Sequence, residues 1–493
     1  MTDEPRDASP LQRLPTHVPG LDDLLGGGLF EGGVYFVQGL PGAGKTTLAS
    51  HIAFEHARRG GRVLYVTLLA ESHARMLQHL AAQSFYDASL VSREIAFISP
   101  FQQLEESGLK SMTTVVLREA IGQRATLMVF DGLVATSEGP ATDQEMRLLV
   151  HSLQGFGMLH GCTTLLLTSN SERAQRAERT MVDGIFELAD RAFGARVERR
   201  MRVAKFRGSA VLRGEHSFCI SSDGIAVHPR LEAVLGARPP SSSVRAADGP
   251  ALPSGVDGLD ALLPDGGLGR GTATLVAGAS GTGRSMLAWA FAREATREAP
   301  ALVVALGDEE SAALAQARRR GVDVDGLRAR GALELRAGLG DERTLDQFGH
   351  ELLRLVDERR FVRVAIDDLQ ALHDLPAWAE RGERFLAALL DGLRERGVAV
   401  VATLDDAVSA AGRPPRSSGA FDNVILLHVG EAARPLDRTL RTVKIRAAAL
   451  DPTPHSLSLA GGRPSIARAG DAEGTGAAAD VSVDSASGRD TSR

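Results

Sequence analysis

The segment Gly39-Leu40-Pro41-Gly42-Ala43-Gly44-Lys45-Thr46, with Thr47 after it, carries glycine, lysine and hydroxyl at the spacing of a phosphate loop. The glycines let backbone N–H groups face one concavity, and a following helix adds its N-terminal potential for an anion. Lys45 then reaches the β- and γ-phosphates of a nucleotide, and the Thr46 hydroxyl ligates Mg2+. A chance glycine-rich turn would not explain the strand pattern just before it, Val34–Val37, or the helical pattern just after it, Thr46–Arg59. Asp131 closes the apolar run Leu127-Met128-Val129-Phe130. A carboxylate at the end of a buried parallel strand lies where ligands bind in open α/β sheets, and it can hold Mg2+. Alone, such an Asp would be read as a turn cap. Glu71, the one acid in 68–73, follows the strand pattern Val63–Thr67 and is the candidate general base or water-positioning group. An acid also suits a helix start on electrostatic grounds alone. Thr168 and Ser169 end a further apolar run and are candidate γ-phosphate contacts.

Strands alternating with helices must hold these residues. Val34–Val37, Val63–Thr67, Thr126–Phe130 and Thr163–Thr168 read as buried strands, and Gln144–His160 as a helix. That alternation argues for crossover units and a parallel sheet. After Arg196 the pattern changes: Arg202–Phe206, His216–Ile220 and Gly224–His228 read as short strands of an antiparallel edge. The order recurs in Thr274–Ala277, Leu302–Ala305, Val362–Ile366, Val398–Thr403 and Asn423–His428.

The recurrence is a duplication. Gly20-Leu21-Asp22-Asp23-Leu24-Leu25 returns as Gly258-Leu259-Asp260-Ala261-Leu262-Leu263 at an offset of 238, and Leu29 returns as Leu268 at 239. One inserted residue near Pro264-Asp265 accounts for the step, and a period this long is a repeated domain. The expected division is a flexible N-terminus (1–13), a first domain (14–235), a Pro- and Ser-rich linker (236–251), a second domain (252–465) and a disordered tail (466–493). In the second domain Gly278-Ala279-Ser280-Gly281-Thr282-Gly283-Arg284-Ser285 holds the loop position, with Arg284 where the first loop has Lys45. A guanidinium is planar and forked, whereas the loop lysine acts as a compact point charge, so the exchange reshapes phosphate contact. Gly281, Thr282, Gly283, Arg284 and Ser285 remain nucleotide-binding candidates, Ser285 for Mg2+, with Asp367 as the matching strand-end carboxylate and Asp368 beside it.

Composition sets outer limits. The 493 residues are 43% hydrophobic and 24% charged, enough for sizeable cores, and the net charge of −6 disfavours coating nucleic acid by bulk charge. No apolar run approaches the ~18–20 residues of a membrane span, and Met1–Pro10 has no apolar signal core. Cys162 and Cys219 are too few for a disulfide scaffold and read as small core residues. A cytoplasmic location is expected.

Taken together, these residues resemble the KaiC-like ATPases, a branch of the RecA-type superfamily. The resemblance rests on Gly20-Leu21-Asp22 with the glycines after it, the phosphate loop, Glu71-Ser72, Asp131, and Lys205-Phe206-Arg207-Gly208-Ser209 with Gly214-Glu215-His216 and Gly224-Ile225. It implies two tandem RecA-like P-loop NTPase domains of α/β class, each a mostly parallel sheet flanked by helices with an antiparallel C-terminal edge. It also implies ATP and Mg2+ as cofactors and self-association into a ring, a hexamer. In such a ring Lys205 and Arg207 reach a neighbour's nucleotide. Cations arriving at the γ-phosphate stabilise developing charge there, and the alternative for this block is a basic surface strand. By the same resemblance Glu309 and Glu310 match the family's glutamate pair, of which the first domain keeps only Glu71. Lys444-Ile445-Arg446 keeps the late block, followed by Ala447-Ala448 instead of Gly-Ser. The first domain is therefore expected to hydrolyse ATP slowly, and the second to bind nucleotide weakly or to serve a structural or regulatory role.

Four functions compete. One is a nucleotide-driven signalling ring read by an unidentified protein partner. Another is a RecA- or RadA-like DNA-dependent ATPase, disfavoured because Gly132–Arg147 is acidic, Glu172 and Glu178 offset Arg173, Arg176 and Arg179, and aromatics are only 4%. A third is a non-catalytic scaffold. The fourth is a clock-type autokinase, disfavoured because the family's Ser-Thr pair stands here as Ser418-Gly419.

Overall fold

The computed structural model describes residues 12–68, 73–132, 143–168, 180–236, 249–340, 343–406, 414–430, 438–446 and 450–468. By internal contacts the chain falls into two compact units. The first is Met1–Ser242 with Gly340–Glu358 and Leu372–Gly392, and the second is Ser243–Leu339 with Arg359–Ala371 and Leu393–Arg493.

The first unit opens with a small antiparallel pair, β1 (Arg13–Leu14) and β2 (Leu29–Phe30). Its main sheet contains β3 (Val34–Gly39), β4 (Val63–Thr67), β5 (Ile95–Ile98), β6 (Leu127–Asp131), β7 (Thr163–Thr168), β8 (Gly184–Phe193), β9 (Arg196–Phe206), β10 (Glu215–Ser221) and β11 (Gly224–His228). The order is β11-β10-β9-β8-β3-β7-β6-β4-β5, parallel from β8 to β5 and antiparallel from β9 outward. Central strands are apolar on both faces, as a sheet covered on both sides requires. Tyr35 and Val37 join the core that includes Leu48, Ile52 and Phe54 of helix Lys45–Arg58. Val34 and Phe36 join the core with Met112 and Val116 of helix Phe101–Gln123 and Leu149 and Leu153 of helix Asp143–His160.

The second unit contains β12 (Ala273–Gly278), β13 (Ala301–Ala305), β14 (Leu333–Ala337), β15 (Arg363–Asp367), β16 (Ala399–Asp405), β17 (Asn423–Val429), β18 (Arg438–Ile445), β19 (His455–Ser458) and β20 (Ser465–Arg468). Its order, β14-β13-β15-β16-β12-β17-β18-β19-β20, repeats the first sheet strand for strand. The tandem α/β architecture is thus as the sequence implies. The short edge strands β5 and β14 and the long β8 were not foreseen, because a few half-buried residues carry little periodic signal.

Paired hydrogen bonds locate the insertion. Asp22 Oδ1 accepts from the Thr16 amide at 2.9 Å, and Asp260 Oδ1 from the Ser254 amide at 2.9 Å, an offset of 238. Further on, Asp183 Oδ2 accepts from Val34 N at 2.9 Å, and Asp422 Oδ2 from Ala273 N at 2.9 Å, an offset of 239. The extra residue falls in the turn Pro264–Gly266, where Asp265 takes a φ of 57°.

Cys162 is buried as expected, but Cys219 is only half-buried. It alternates on β10 with Phe218, so it points off the core face, and its Sγ lies 3.5 Å from His228 Nε2. On the same strand His216 is fully buried, with Nε2 3.1 Å from Leu212 O and Nδ1 accepting from Arg230 N at 2.9 Å. Burial pulls its pKa down to about 4. A histidine held neutral below its unfolded pKa stabilises the fold at neutral pH, and that share is lost as pH falls through about 6.5 toward 4. Urea unfolding should therefore show stability falling by about 3 kcal/mol from this group over that window. His216→Gln should flatten that part of the pH profile.

Candidate functional site

The first phosphate loop runs from the end of β3 into helix Lys45–Arg58. Gly44 precedes that helix with φ 94°, and a Cβ there would approach Ile220 Cδ1 to 2.7 Å, so only glycine suits the position. Ala43 N donates to Leu40 O at 3.1 Å and closes the loop's turn. Pro41 and Gly42 are exposed, and a Cβ built on Gly42 would meet nothing within 4 Å, so the cradle is open on that side. Lys45 Nζ donates to Gly39 O at 2.8 Å and Leu40 O at 3.0 Å. Burial lowers its pKa, and the Asp131 carboxylate acts the other way. These partners are neutral carbonyls, so the ammonium can turn to an anion without breaking an ion pair.

Thr46 and Asp131 meet. Thr46 Oγ1 donates to Asp131 Oδ2 at 2.8 Å, and the Tyr65 hydroxyl donates to the same oxygen at 3.3 Å. Asp131 ends β6, in register with Thr67 on β4. A hydroxyl bonded to a buried carboxylate beside a phosphate loop is the donor set that suits Mg2+. Thr47 is half-buried on the helix's first turn. Glu71 and Ser169 lie outside the described residues.

Lys205 and Arg207 stand elsewhere. Lys205 pairs with Ile185 on β8, and Ile185 pairs with Phe36 on β3. Arg207 N donates to Asp183 O, and Asp183 N to Val34 O. The two are therefore level with residues three to five positions before Gly39, about 10–16 Å down the sheet at the strand rise. Lys205 Nζ donates to Thr180 O at 3.1 Å, and Arg207 donates to Thr180 O and to Met181 O. Both cations lie at the opposite end of the sheet from their own chain's loop.

The second loop keeps the backbone and changes the chemistry. Gly281 and Gly283 have φ 81° and 106°, against 84° and 94° at Gly42 and Gly44. Thr282 N donates to Ala279 O at 3.3 Å, as Ala43 does to Leu40. Arg284 Nη2, however, pairs with Asp405 Oδ2 at 2.9 Å. Asp367 Oδ1 accepts from Thr403 Oγ1 at 2.6 Å, a contact different from the Thr46–Asp131 bond, and Ser285 is half-buried on the first turn of its helix. Glu309 and Glu310 are exposed at the start of helix Glu310–Arg319, and Glu310 bonds Arg328 at 2.7 Å. Lys444 Nζ donates to Ser418 O at 3.2 Å and also to Phe421 O, and Arg446 bonds Asp422 Oδ1 at 2.8 Å.

Gln38 escaped the sequence reading. It sits between Thr168 on β7 and Glu187 on β8, and its buried Oε1, like Thr168 Oγ1, has no hydrogen-bond partner among the described residues. The matching row in the second sheet is Ala277, Leu404 and Leu426. The signal was available, because the 239-residue offset sets Gln38 against Ala277. An orphaned buried acceptor destabilises a fold. Gln38→Leu should therefore raise the thermal midpoint by about 2–4 °C, corresponding to about 1 kcal/mol.

The profile of the family described as "ATPase: KaiC" matches residues 14–232 and again 252–463. The chain is 28% identical over 378 residues to the circadian clock oscillator protein KaiC of Picosynechococcus sp., covering 73% of this chain and 71% of that one. It is 26% identical over 378 residues to the circadian clock oscillator protein KaiC 1 of Synechocystis sp., covering 73% and 70%. It is 27% identical over 307 residues to the circadian clock protein KaiC2 of Synechocystis sp., covering 59% and 52%.

Proposed function

The chain belongs to the KaiC ATPase family, which it matches twice, and on that premise we propose that its first domain binds and slowly hydrolyses ATP within a ring of identical chains. The observation that carries this reading is the first loop: an open cradle, Lys45 hydrogen-bonded to two carbonyls, and Thr46 bonded to Asp131 at 2.8 Å. Thr46 and Asp131 would hold Mg2+, which when bound neutralises phosphate charge. Lys45 binds and orients the terminal phosphates. Glu71, proposed from sequence, positions the attacking water.

The sheet register supports action between chains. Lys205 and Arg207 lie about 10–16 Å down the sheet from their own loop, with their cations directed to Thr180 and Met181 carbonyls. That placement suits a nucleotide on another copy. A head-to-tail contact of that kind closes into a ring, which we take to be a hexamer. The second domain, with its loop cation paired to a carboxylate, is the structural or regulatory half. The nucleotide state of the first domain would set the ring contacts that a protein partner reads. Among the described residues no helix is long and apolar enough to cross a membrane.

Phosphate release measured across protein concentration tests the reading. Specific activity should rise steeply with concentration as chains assemble. Nucleotide binding with no phosphate release at any concentration would leave a scaffold.

A further inference from the structure

We propose that Asp405 is an internal anion that closes the second phosphate loop: its carboxylate takes the Arg284 guanidinium that a nucleotide phosphate would otherwise take. The inference rests on reading the second domain as the non-hydrolysing half.

The loop backbone is not what closes it. Its two positive-φ glycines match those of the first loop within about 12°, and its Thr282 turn bond repeats that of Ala43. A Cβ on Gly278 would meet Leu427 O at 2.5 Å, as one on Gly39 would meet Leu188 O at 2.6 Å. Both loops are therefore built to the same cradle.

The difference lies in what holds the cation. Lys45 rests on two neutral carbonyls, whereas Arg284 sits in a charge-assisted bond to Asp405 at 2.9 Å with only 14% of its side chain exposed. The Asp405 backbone is fixed beside the loop. It ends β16 in register with Gly278, and the next amide, Asp406 N, donates to Gly278 O at 3.2 Å. In the first domain the residue following the matching strand position is the neutral Ser169.

A second feature points the same way. Asp368 takes a φ of 73° at the position where the first domain has Gly132 at 95°. A side chain held in the left-handed region marks a position that the surrounding structure over-determines. Its amide accepts no freedom either, since Asp368 N donates to Thr403 Oγ1 at 2.8 Å. Burial and the neighbouring Asp367 push the Asp368 carboxyl up, Arg284 pulls it down, and Asp405 adds to the upward push. Arg284, paired to Asp405, also acts on Asp368, while Arg320 couples to Asp367 and Arg438 Nε donates to Gly281 O at 3.4 Å.

The test is nucleotide stoichiometry on the full chain, by equilibrium dialysis with radiolabelled ATP and Mg2+. Wild type should bind about one ATP per chain, and Asp405→Asn about two, a doubling that Arg284→Ala in the same background removes. Asp405→Ser, which copies Ser169, carries the same test should Asp405→Asn fail to fold. Two ATP per wild-type chain, or no gain in a folded Asp405 variant, overturns the proposal. Failure of the first-site reading shows separately, as Lys45→Ala retaining the wild-type stoichiometry. With Lys45→Ala at zero, the double variant Lys45→Ala/Asp405→Asn should bind one.

Discussion

Lys45→Ala is expected to lower phosphate release by at least about 100-fold, the loss typical when one preorganised cation or donor is removed from developing charge. The fold should survive, because among the described residues Nζ bonds Gly39 O and Leu40 O alone and helix Lys45–Arg58 is anchored by Leu48, Ile52 and Phe54. Thermal unfolding by circular dichroism should therefore stay near wild type while malachite-green phosphate release collapses. Arg284→Ala should leave release almost unchanged, since its guanidinium is already committed to Asp405. Full activity in Lys45→Ala together with loss in Arg284→Ala would reverse the assignment of the two halves.

Mixing two inactive variants should restore activity. Arg207→Ala removes a cation argued to act on a neighbour, and a loss of about 1,000-fold or more is the scale for an arginine acting in trans. Lys45→Ala removes the loop cation. In a randomly mixed ring an interface is intact when an Arg207→Ala chain presents its unaltered loop to a Lys45→Ala chain's unaltered Arg207. That combination makes up about a quarter of interfaces at equal mixing. Recovery to about a quarter of wild-type release is the expected result. No recovery from co-assembled chains would show that the loop and the cations serve the same nucleotide within one chain, against the sheet register. Arg207→Lys should recover little, because a point charge does not reproduce the guanidinium fork.

The phosphate loop was legible in the sequence because its chemistry depends on consecutive residues. Eight positions supply glycine, lysine and hydroxyl, and the flanking patterns identify the strand and helix they require. The duplication was legible for a similar reason: a repeated spacing survives when individual residues do not, and the paired bonds of Asp22 with Asp260 and of Asp183 with Asp422 follow the offsets read from sequence. Asp131 was legible as a strand end, and its bond to Thr46 joins residues far apart in the chain.

Other features depended on register, which no local pattern specifies. Whether Lys205 and Arg207 lie beside their own loop or far from it follows from how β9 slides against β8 and β8 against β3. A slip of a few residues would have moved both cations by several ångströms, yet the same strand pattern would be read. The arginine in the second loop was evident in the sequence, but its partner was not: Asp405 meets Arg284 only because β16 lies beside β12 and ends level with Gly278. Sequence alone thus determined that the domain occurs twice and which residues form the glycine-rich loop between strand and helix. Tertiary structure decided which charges face one another, because charges act through distance in space and only the paired strands set those distances.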